Sequence, residues 1–511
     1  MPADLRLAAL LVPLSLATDL GMGHSREEAM RSCLLATGLA RAAGLSEEDV
    51  ATAYWTTLLR HIGCTASAHE EAAHGGGNEL ATRPLASRTD FRSPREALAL
   101  LAATLSAVPV SRRPKVLVTS LGSWGDLALT ATCEVGSTMA ERLGLGPGVR
   151  AGLYEMFERW DGKGVPRGIA GEAISVGARY AQVATSAVAF HELGGLELAS
   201  EVVRRRSGRM LDPGIAAAYL RHGPEILHEI GEADPLVAAV AAEPDPVRRI
   251  SERELDGCAR AFADMADLKA PFLHGHSSRV AELAADAGRS LGMSEEDAVG
   301  LRRAAWFHDL GRVAVPDGVW ERPGRLSEGE WEQVRLHAYH TERILARAEP
   351  LAPLARVAGM HHERLDGTGY HRQASGAGIP PAARVLAAAD AYDAMTHDRP
   401  HRPALPHEVA AAELGASVRA GALDGDAVAA VLGATGRRVG RAGRQRPAGL
   451  SEREVEVLRL LAEGLSNRGI AERLYISRRT AETHVQHIYG KIGSSTRAGA
   501  AMFAMRHGLL D

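Results

Sequence analysis

The sequence predicts an all-α protein: two helical bundles of similar design, followed by a small basic helical tail. Three observations predict it. Ala/Leu-rich segments such as "RVAELAADAGRSLG" and "AARVLAAADAYDAM" carry apolar residues at a 3.6-residue period, and sustained alternation of period two is scarce. Stretches of the first half recur, in the same order, in the second. Charge is also unevenly divided, with 14 Lys/Arg against 7 Asp/Glu from Gly436 onward and 45 against 56 before it. This asymmetry supports a basic tail module that meets nucleic acid, on an acidic body with another task.

The 511 residues exceed what one hydrophobic core holds and point to three or four domains. With 46% hydrophobic and 24% charged residues, the composition is that of a soluble globular protein. Cys33, Cys64, Cys133 and Cys258 are scattered with no CxxC pair, which argues against a disulfide framework or thiolate metal site and fits a cytoplasmic location. The apolar run "LAALLVPLSLA" (7–17) contains Pro13 and is too short to span a membrane, so it reads as a buried helix. No membrane partner is expected.

The first domain is assigned to residues 1–240 and its counterpart to 241–435. "GMGHSREEA" (21–29) answers "LHGHSSRVAEL" (273–283), and "GLSEEDV" (44–50) answers "GMSEEDA" (292–298). "LLRHIG" then lines up with "WFHDLG", "FERWDGKGVPRG" (157–168) with "HERLDGTGYHRQ" (362–373), and "ISVGARYAQVATSA" (174–187) with "IPPAARVLAAADAY" (379–392). Copies of nearly 200 residues each own a core, so this is a duplicated domain and not a solenoid. Within the first copy, "KVLVTSLG" (115–122) is the best strand candidate, and the polar segment 74–96 reads as a surface loop or disordered insertion. The Pro- and charge-rich stretch 241–254 marks the joint between copies. Residues 436–449, with five Arg, four Gly and no acid, read as a flexible basic linker to a tail domain at 450–511.

The second copy concentrates His276, His308, Asp309, His337, His361, His362 and Asp390. Imidazole and carboxylate together suit iron, manganese, zinc or similar divalent ions. Gaps of 32, 28, 24 and 28 residues separate these positions, roughly the length of a helix and its connection returning to one layer of an antiparallel bundle. The adjacent pair His308–Asp309 can flank one inward direction, since helical neighbours lie about 100° apart. The first copy has His24, Arg60, His61, Cys133, Met156, Phe157 and Thr185 at the matching positions. Most ligands are absent there, so the fold does not require them and their presence in the second copy asks for a chemical reason.

The motifs "HGHSSRV", "WFHDLGRVAVPD", "LHAYHTERIL", "HHERLDGTGY" and "AAADAYDAMTHDRPHRPAL" together resemble an HD-GYP domain, the helical phosphohydrolase family whose best-known members open cyclic di-GMP. The resemblance implies an HD-type bundle in each copy, the first degenerate, and a di-metal centre on the seven residues above with Asp309 as bridging carboxylate. Iron or manganese is the expected metal, with zinc, nickel or magnesium as alternatives. It also places Tyr370 on the tyrosine of the name motif, and Arg399 and Arg402 on positions that reach substrate phosphate. Arg312 stands where the family has lysine and is assigned, with Asp309, to catalysis. Here the name motif reads Gly-Tyr-His, with His371 in place of proline. Phe272 replaces a glutamate that in some members helps hold a third metal, so two ions are expected. Paired divalent ions acidify water and neutralise charge on phosphoryl oxygens, and arginines add bidentate contacts.

In the tail, Ser451 and Glu454 form a capping-box pattern, Gly464 ends the first helix, and "NRGIAERL", "YIS" and "RRTAETHVQHIYGKI" read as helix, turn and helix, with Ser477 as cap. The segment resembles the LuxR-type helix-turn-helix domain along its full length, which implies a four-helix module with its recognition helix in the major groove. Base contacts are expected from Arg479, Glu482, Thr483 and Gln486, phosphate contacts from Arg478, Lys491 and Arg497, and Thr480 is counted with the DNA-binding residues. The expected function is a DNA-binding regulator, acting as a homodimer on double-stranded DNA, whose body hydrolyses a cyclic dinucleotide or related phosphoester. The alternative is a sensor that binds a nucleotide or metal without turnover and thereby controls DNA binding.

Overall fold

The computed structural model describes residues 5–24, 27–74, 76–108, 110, 113–119, 124–435 and 447–510. Among them the fold is all-α, apart from one two-stranded antiparallel pairing of Leu5–Arg6 with Arg249–Ile250. The chain divides into two compact units, Met1–Gly257 and Cys258–Asp511. The division lies beyond the expected joint because Arg249–Ile250 pairs with the chain's start, and Leu7 N donates to Arg248 O at 2.8 Å. The helical tail falls within the second unit.

In the first unit, the apolar run at 7–17 forms part of the helix Leu7–Gly21, and the leucines of that run are fully or almost fully buried. Glu28–Ala42, Glu47–Leu58 and the first part of Val176–Arg206 share a core of Leu35, Leu39, Val50, Val183 and Val188. Glycines 194 and 195 interrupt the last of these with non-helical backbone. Two local expectations are corrected. The strand candidate is helical over Arg113–Thr119, and its residues 120–122 lie outside the described residues. Within 74–96 the chain forms the helix Glu79–Arg88, because Asn78 caps it by accepting from Ala81 N, and Arg83 Nη2 reaches Cys64 O at 2.7 Å.

The second unit repeats the same local devices. Ser46 and Ser294 cap Glu47–Leu58 and Glu295–Phe307 by accepting from Asp49 N and Asp297 N. Glu158 accepts from Arg167 N and Ile169 N in the first unit, and Glu363 accepts from Arg372 N and Ala374 N in the second. Each glutamate thereby closes the loop that carries its copy of the "DGxG" stretch. The remaining core helices of this unit are His276–Ser290, Glu328–Arg347, Ala352–Gly359, Pro381–Thr396, His407–Arg419 and Gly425–Thr435. The basic linker expected at 436–449 lies outside the described residues except for a short turn at Pro447–Gly449.

Close helix approach fixes one residue type. A Cβ on Gly311 would collide with His337 O and sit 2.7 Å from Thr341 N, while one on Gly63 would collide with Thr132 O. In both units the turn after the ligand-bearing helix therefore touches the backbone of a neighbouring helix. Gly311→Ala should push Glu328–Arg347 away and lower stability by about 1–3 kcal/mol. Urea denaturation followed by circular dichroism checks this, and an unchanged midpoint would contradict the contact.

Candidate metal centre

Two of the seven expected ligands lie well inside helices, His337 in Glu328–Arg347 and Asp390 in Pro381–Thr396. The others sit at helix ends. His276 opens His276–Ser290 behind Gly275, whose φ of 77° makes the turn. His308 and Asp309 follow Glu295–Phe307, and His361 and His362 follow Ala352–Gly359. The adjacent pairs thus work through a departure from helix, with Asp309 at φ −100°, ψ 9°, and not as neighbours about 100° apart on a continuous helix. Thr341 pins this departure by donating from Oγ1 to His308 O and accepting from Gly311 N, each at 2.9 Å.

The imidazoles are oriented before anything binds. Nδ1 of His308 donates to Ala305 O at 2.7 Å, that of His361 to Ala358 O at 2.6 Å, and that of His337 to Val334 O. Nδ1 of His276 pairs with Asp393 Oδ2 at 2.7 Å, and Asp393 is held in turn by Arg279 Nε at 2.8 Å. Each ring therefore turns Nε2 inward, the arrangement in which an outer hydrogen bond fixes the tautomer of a metal ligand.

Asp309 stands at the middle. Its Oδ2 lies 3.1 Å from His308 Nε2 and 3.3 Å from His276 Nε2, while its Oδ1 lies 3.4 Å from His337 Nε2 and 3.5 Å from His361 Nε2. Asp390 adds Oδ1 at 3.2 Å from His276 Nε2 and Oδ2 at 3.6 Å from His362 Nδ1. Three overlapping groups, His276/His308/Asp390, His308/Asp309/His361 and His337/His361/His362, converge closely enough to hold a metal ion. His276 Nε2, His308 Nε2, Asp390 Oδ1 and both oxygens of Asp309 are buried with ion-pair contacts to one another and to Arg312 but no well-directed hydrogen bond. Buried polar atoms are rarely left so, and these are all metal-ligating atoms facing one another. The residues fit divalent cations.

The electrostatics agree. Despite burial, contacts with Asp309, Asp390 and Asp393 raise the pKa of His276 to about 9, and Asp309 and Asp390 raise that of His308 to about 10. Burial lowers His337 to about 4 and holds His362 well below the usual imidazole value. Against burial, Arg312 and the imidazoles keep Asp309 and Asp390 well below the usual carboxylate range. The surrounding carboxylates thus favour positive charge at His276 and His308, the kind of charge a divalent cation would supply.

The other expected site residues divide. Arg312 is buried, with Nε 2.7 Å from Asp309 Oδ2 and its guanidinium 4.8 Å over the Trp320 ring. It holds Asp309 in place. Tyr370 stacks on His362 at 4.3 Å between centroids, and burial raises its hydroxyl to about 12. His371 lies 3.6 Å from Glu342 Oε2 and beside Tyr339, tying the loop to Glu328–Arg347. Arg399 lies over the Phe272 ring at 5.3 Å, and burial with the nearby Arg312 charge lowers its pKa to about 10. Arg402 donates to Ala394 O and Met395 O, capping the end of Pro381–Thr396. Sequence reasoning missed Asp393, Arg279, Thr341 and Glu363. Asp393 had a signal, since it lies one helical turn beyond Asp390.

The HD domain family matches residues 260–426, and the luxR family of bacterial regulatory proteins matches residues 448–504. The 3'3'-cGAMP-specific phosphodiesterase 3 of Vibrio cholerae is 31% identical over 418 residues, covering 80% of this chain and 90% of that protein. The chain belongs to the HD-domain phosphodiesterase family. A further family member, the cyclic di-GMP phosphodiesterase of Thermotoga maritima, is 37% identical over 143 residues, 28% of this chain and 39% of that protein. A crystal structure of a V. cholerae cyclic GMP-AMP specific phosphodiesterase superposes with a TM-score of 0.58 at 26% identity, covering 85% of this chain and 98% of that one. No described helix of this phosphodiesterase is long and apolar enough to cross a membrane.

The luxR-family region forms four helices, Glu452–Ala462, Asn467–Leu474, Arg478–Ile492 and Arg497–Arg506. Ser451 and Glu454 make the expected capping box, and Ser477 caps the third helix by accepting from Thr480 N. Ala481, Val485 and Ile488 line that helix's buried side, while Arg478, Arg479, Thr480, Thr483 and Gln486 are exposed and Glu482 is half-buried. Arg478 Nε pairs with Glu482 Oε1 at 2.8 Å. Lys491 Nζ is 2.7 Å from Glu454 Oε2, and Arg497 donates to Leu465 O and Asn467 Oδ1. These last two cations join helices of the domain.

Asp393→Asn should leave the His276 ring without its charged partner and weaken metal binding by about 10–100-fold. Competition against a chromophoric chelator measures this directly. Unchanged affinity in a folded variant would show that His276 does not depend on Asp393.

Proposed function

We propose that the chain hydrolyses a 3'3'-linked cyclic dinucleotide at a two-metal centre and couples that reaction to DNA binding. One observation carries the two-metal reading: the oxygens of Asp309 face different imidazole pairs, as a bridging carboxylate requires. Bound divalent ions would supply Lewis acidity toward phosphoryl oxygen and water. Asp309 and Asp390 would hold the cations, and Arg312 orients Asp309 through their ion pair. Tyr370, stacked on His362, offers a hydroxyl kept protonated by burial as a donor at the edge of the centre. Arg399 is a desolvated cation suited to a phosphodiester oxygen. Arg402, whose donors meet backbone carbonyls, is read as a support for the segment that carries Arg399.

The substrate class follows from family membership, and 3'3'-cGAMP is favoured over cyclic di-GMP because the V. cholerae relative aligns through both units. On this reading the first unit is a degenerate copy retained for packing or control. Purified protein loaded with manganese or iron should linearise 3'3'-cGAMP, resolved by chromatography, and His308→Ala/Asp309→Ala should reduce turnover at least about 10³-fold. Binding without product would instead favour the non-hydrolytic sensor.

For the tail, we infer double-stranded DNA as partner and a homodimer as the binding form. The exposed residues Arg479, Thr480, Thr483 and Gln486 would read bases, while Arg478 and Glu482 present a paired edge. Gln486→Ala should cost about 1–3 kcal/mol at a single base position. Lys491→Ala should instead lower the domain's melting temperature, since its ammonium joins Glu454. Titration of labelled operator fragments and thermal melts separate the two outcomes.

The regulatory reading draws support from contacts inside the second unit. His274 Nδ1 lies 2.6 Å from Ala462 O at the end of the first tail helix, and a Cβ on Gly464 would sit 3.0 Å from Pro271. The tail therefore rests on the segment that precedes the ligand His276 and contains Phe272, the ring beneath Arg399.

A further inference from the structure

The first unit retains a smaller cluster that the proposed reaction does not use. His24, Glu28 and His61 are buried, and one ligand atom of each lies within 4.8 Å of the others. His61 Nε2 is buried with no hydrogen-bond partner, and His24 Nδ1 and Glu28 Oε2 meet only each other there, with no further hydrogen bond. The two rings meet edge to face with centroids 5.1 Å apart, and His24 Nδ1 is 3.1 Å from Glu28 Oε2.

The tautomer of His24 is set from outside. Its Nε2 lies 3.1 Å from Ser87 Oγ, and the Ser87 hydroxyl is itself committed to Pro84 O. Ser87 Oγ therefore accepts, His24 Nε2 carries the proton, and Nδ1 presents a lone pair toward Glu28 and His61. A second proton shared between His24 and Glu28 would satisfy two of the three atoms and leave His61 Nε2 alone. A cation satisfies all three at once.

We propose that His24 Nδ1, Glu28 Oε2 and His61 Nε2 hold a single divalent transition-metal ion of the zinc or iron class in the first unit. Two imidazoles and one carboxylate are a ligand set for such ions, with further positions left to water or an added ligand. The site is not a copy of the centre in the second unit. Glu28 has no counterpart among the seven ligands there, and Arg60 stands where that unit has His308. Arg60 is the main electrostatic opponent of a cation. Its Nη2 is already bound to the other oxygen of Glu28 at 2.8 Å, and buried Asp19 interacts electrostatically with both residues. The ion would tie the start of Glu28–Ala42 to the turn after Glu47–Leu58, the joint that Arg60–His61 occupies.

The test is metal content of the full-length chain. Wild type and His24→Gln/His61→Gln are stripped with chelator, loaded with Zn²⁺ alone, desalted and read by plasma mass spectrometry beside a circular-dichroism melt. The double variant should lose about one zinc per chain. Equal zinc content in two folded proteins overturns the proposal. A second measurement does not depend on that variant folding. In a chain whose other centre is disabled by His308→Ala/Asp309→Ala/His361→Ala, Co²⁺ should give a visible absorption band that Arg60→Met strengthens by removing the opposing charge. No band with either chain also overturns it.

Discussion

The carboxylate of Asp309 is the interaction on which the second unit turns. It is fully buried, a placement that strongly disfavours a charge unless partners surround it. Arg312 supplies the permanent partner at 2.7 Å, and four imidazoles approach the two oxygens from different sides. Removing any one of them leaves buried charge poorly compensated. The site is thus electrostatically mutual: the histidines need the carboxylate to be charged, and the carboxylate needs cations nearby. A divalent ion fills that need without a hydrogen-bond geometry to satisfy.

Placing so many groups around one carboxylate requires that the chain leave its helices there. Side chains on a regular helix diverge, so two neighbours rarely address one point. Ending the helix at Phe307 and again at Gly359 lets His308–Asp309 and His361–His362 each present both members inward. The freed backbone is then held by specific groups: Thr341 bonds on both sides of the first turn, and Glu363 closes the second loop through Arg372 N and Ala374 N. Gly311 allows the first turn to press on the helix that carries His337. Packing and ligand geometry are in this way the same constraint seen from two directions.

Much of this was legible in the sequence. The helical class, the candidate His/Asp cluster that the fold brings together and the Ser451 capping box follow from apolar period, from recurring His/Asp positions and from Ser-x-x-Glu spacing. What stayed hidden was hidden for physical reasons. Arg402 and Arg312 are both arginines in a metal-site motif, but where their guanidinium groups point depends on tertiary contacts that spacing does not encode. The intramolecular partners of Lys491 and Arg497 lie 37 and 30–32 residues away, so charge and local pattern could not reveal them. The segment 74–96 is polar enough for a loop, and only Asn78's cap and the buried Arg83 turn its middle into a helix. Asp393 was the readable omission.

The segment Pro271–Gly275 gives the coupling between catalysis and DNA binding a physical form, on the reading that both occur. Gly275 makes the left-handed turn that sets the first ligand, and the carbonyl of His274 accepts from Arg279, which in turn holds Asp393. The same His274 ring meets the tail at Ala462 O. A cation drawing on His276 therefore restrains the seat of the tail, and a tail drawn away by DNA releases a partner of the ring next to His276. Linkage makes the two effects equal in free energy, whichever ligand arrives first. The coupling needs no long relay, because the single residue Gly275 separates the tail's partner His274 from His276. Its size is then set by how differently the segment is held in the two states, not by distance.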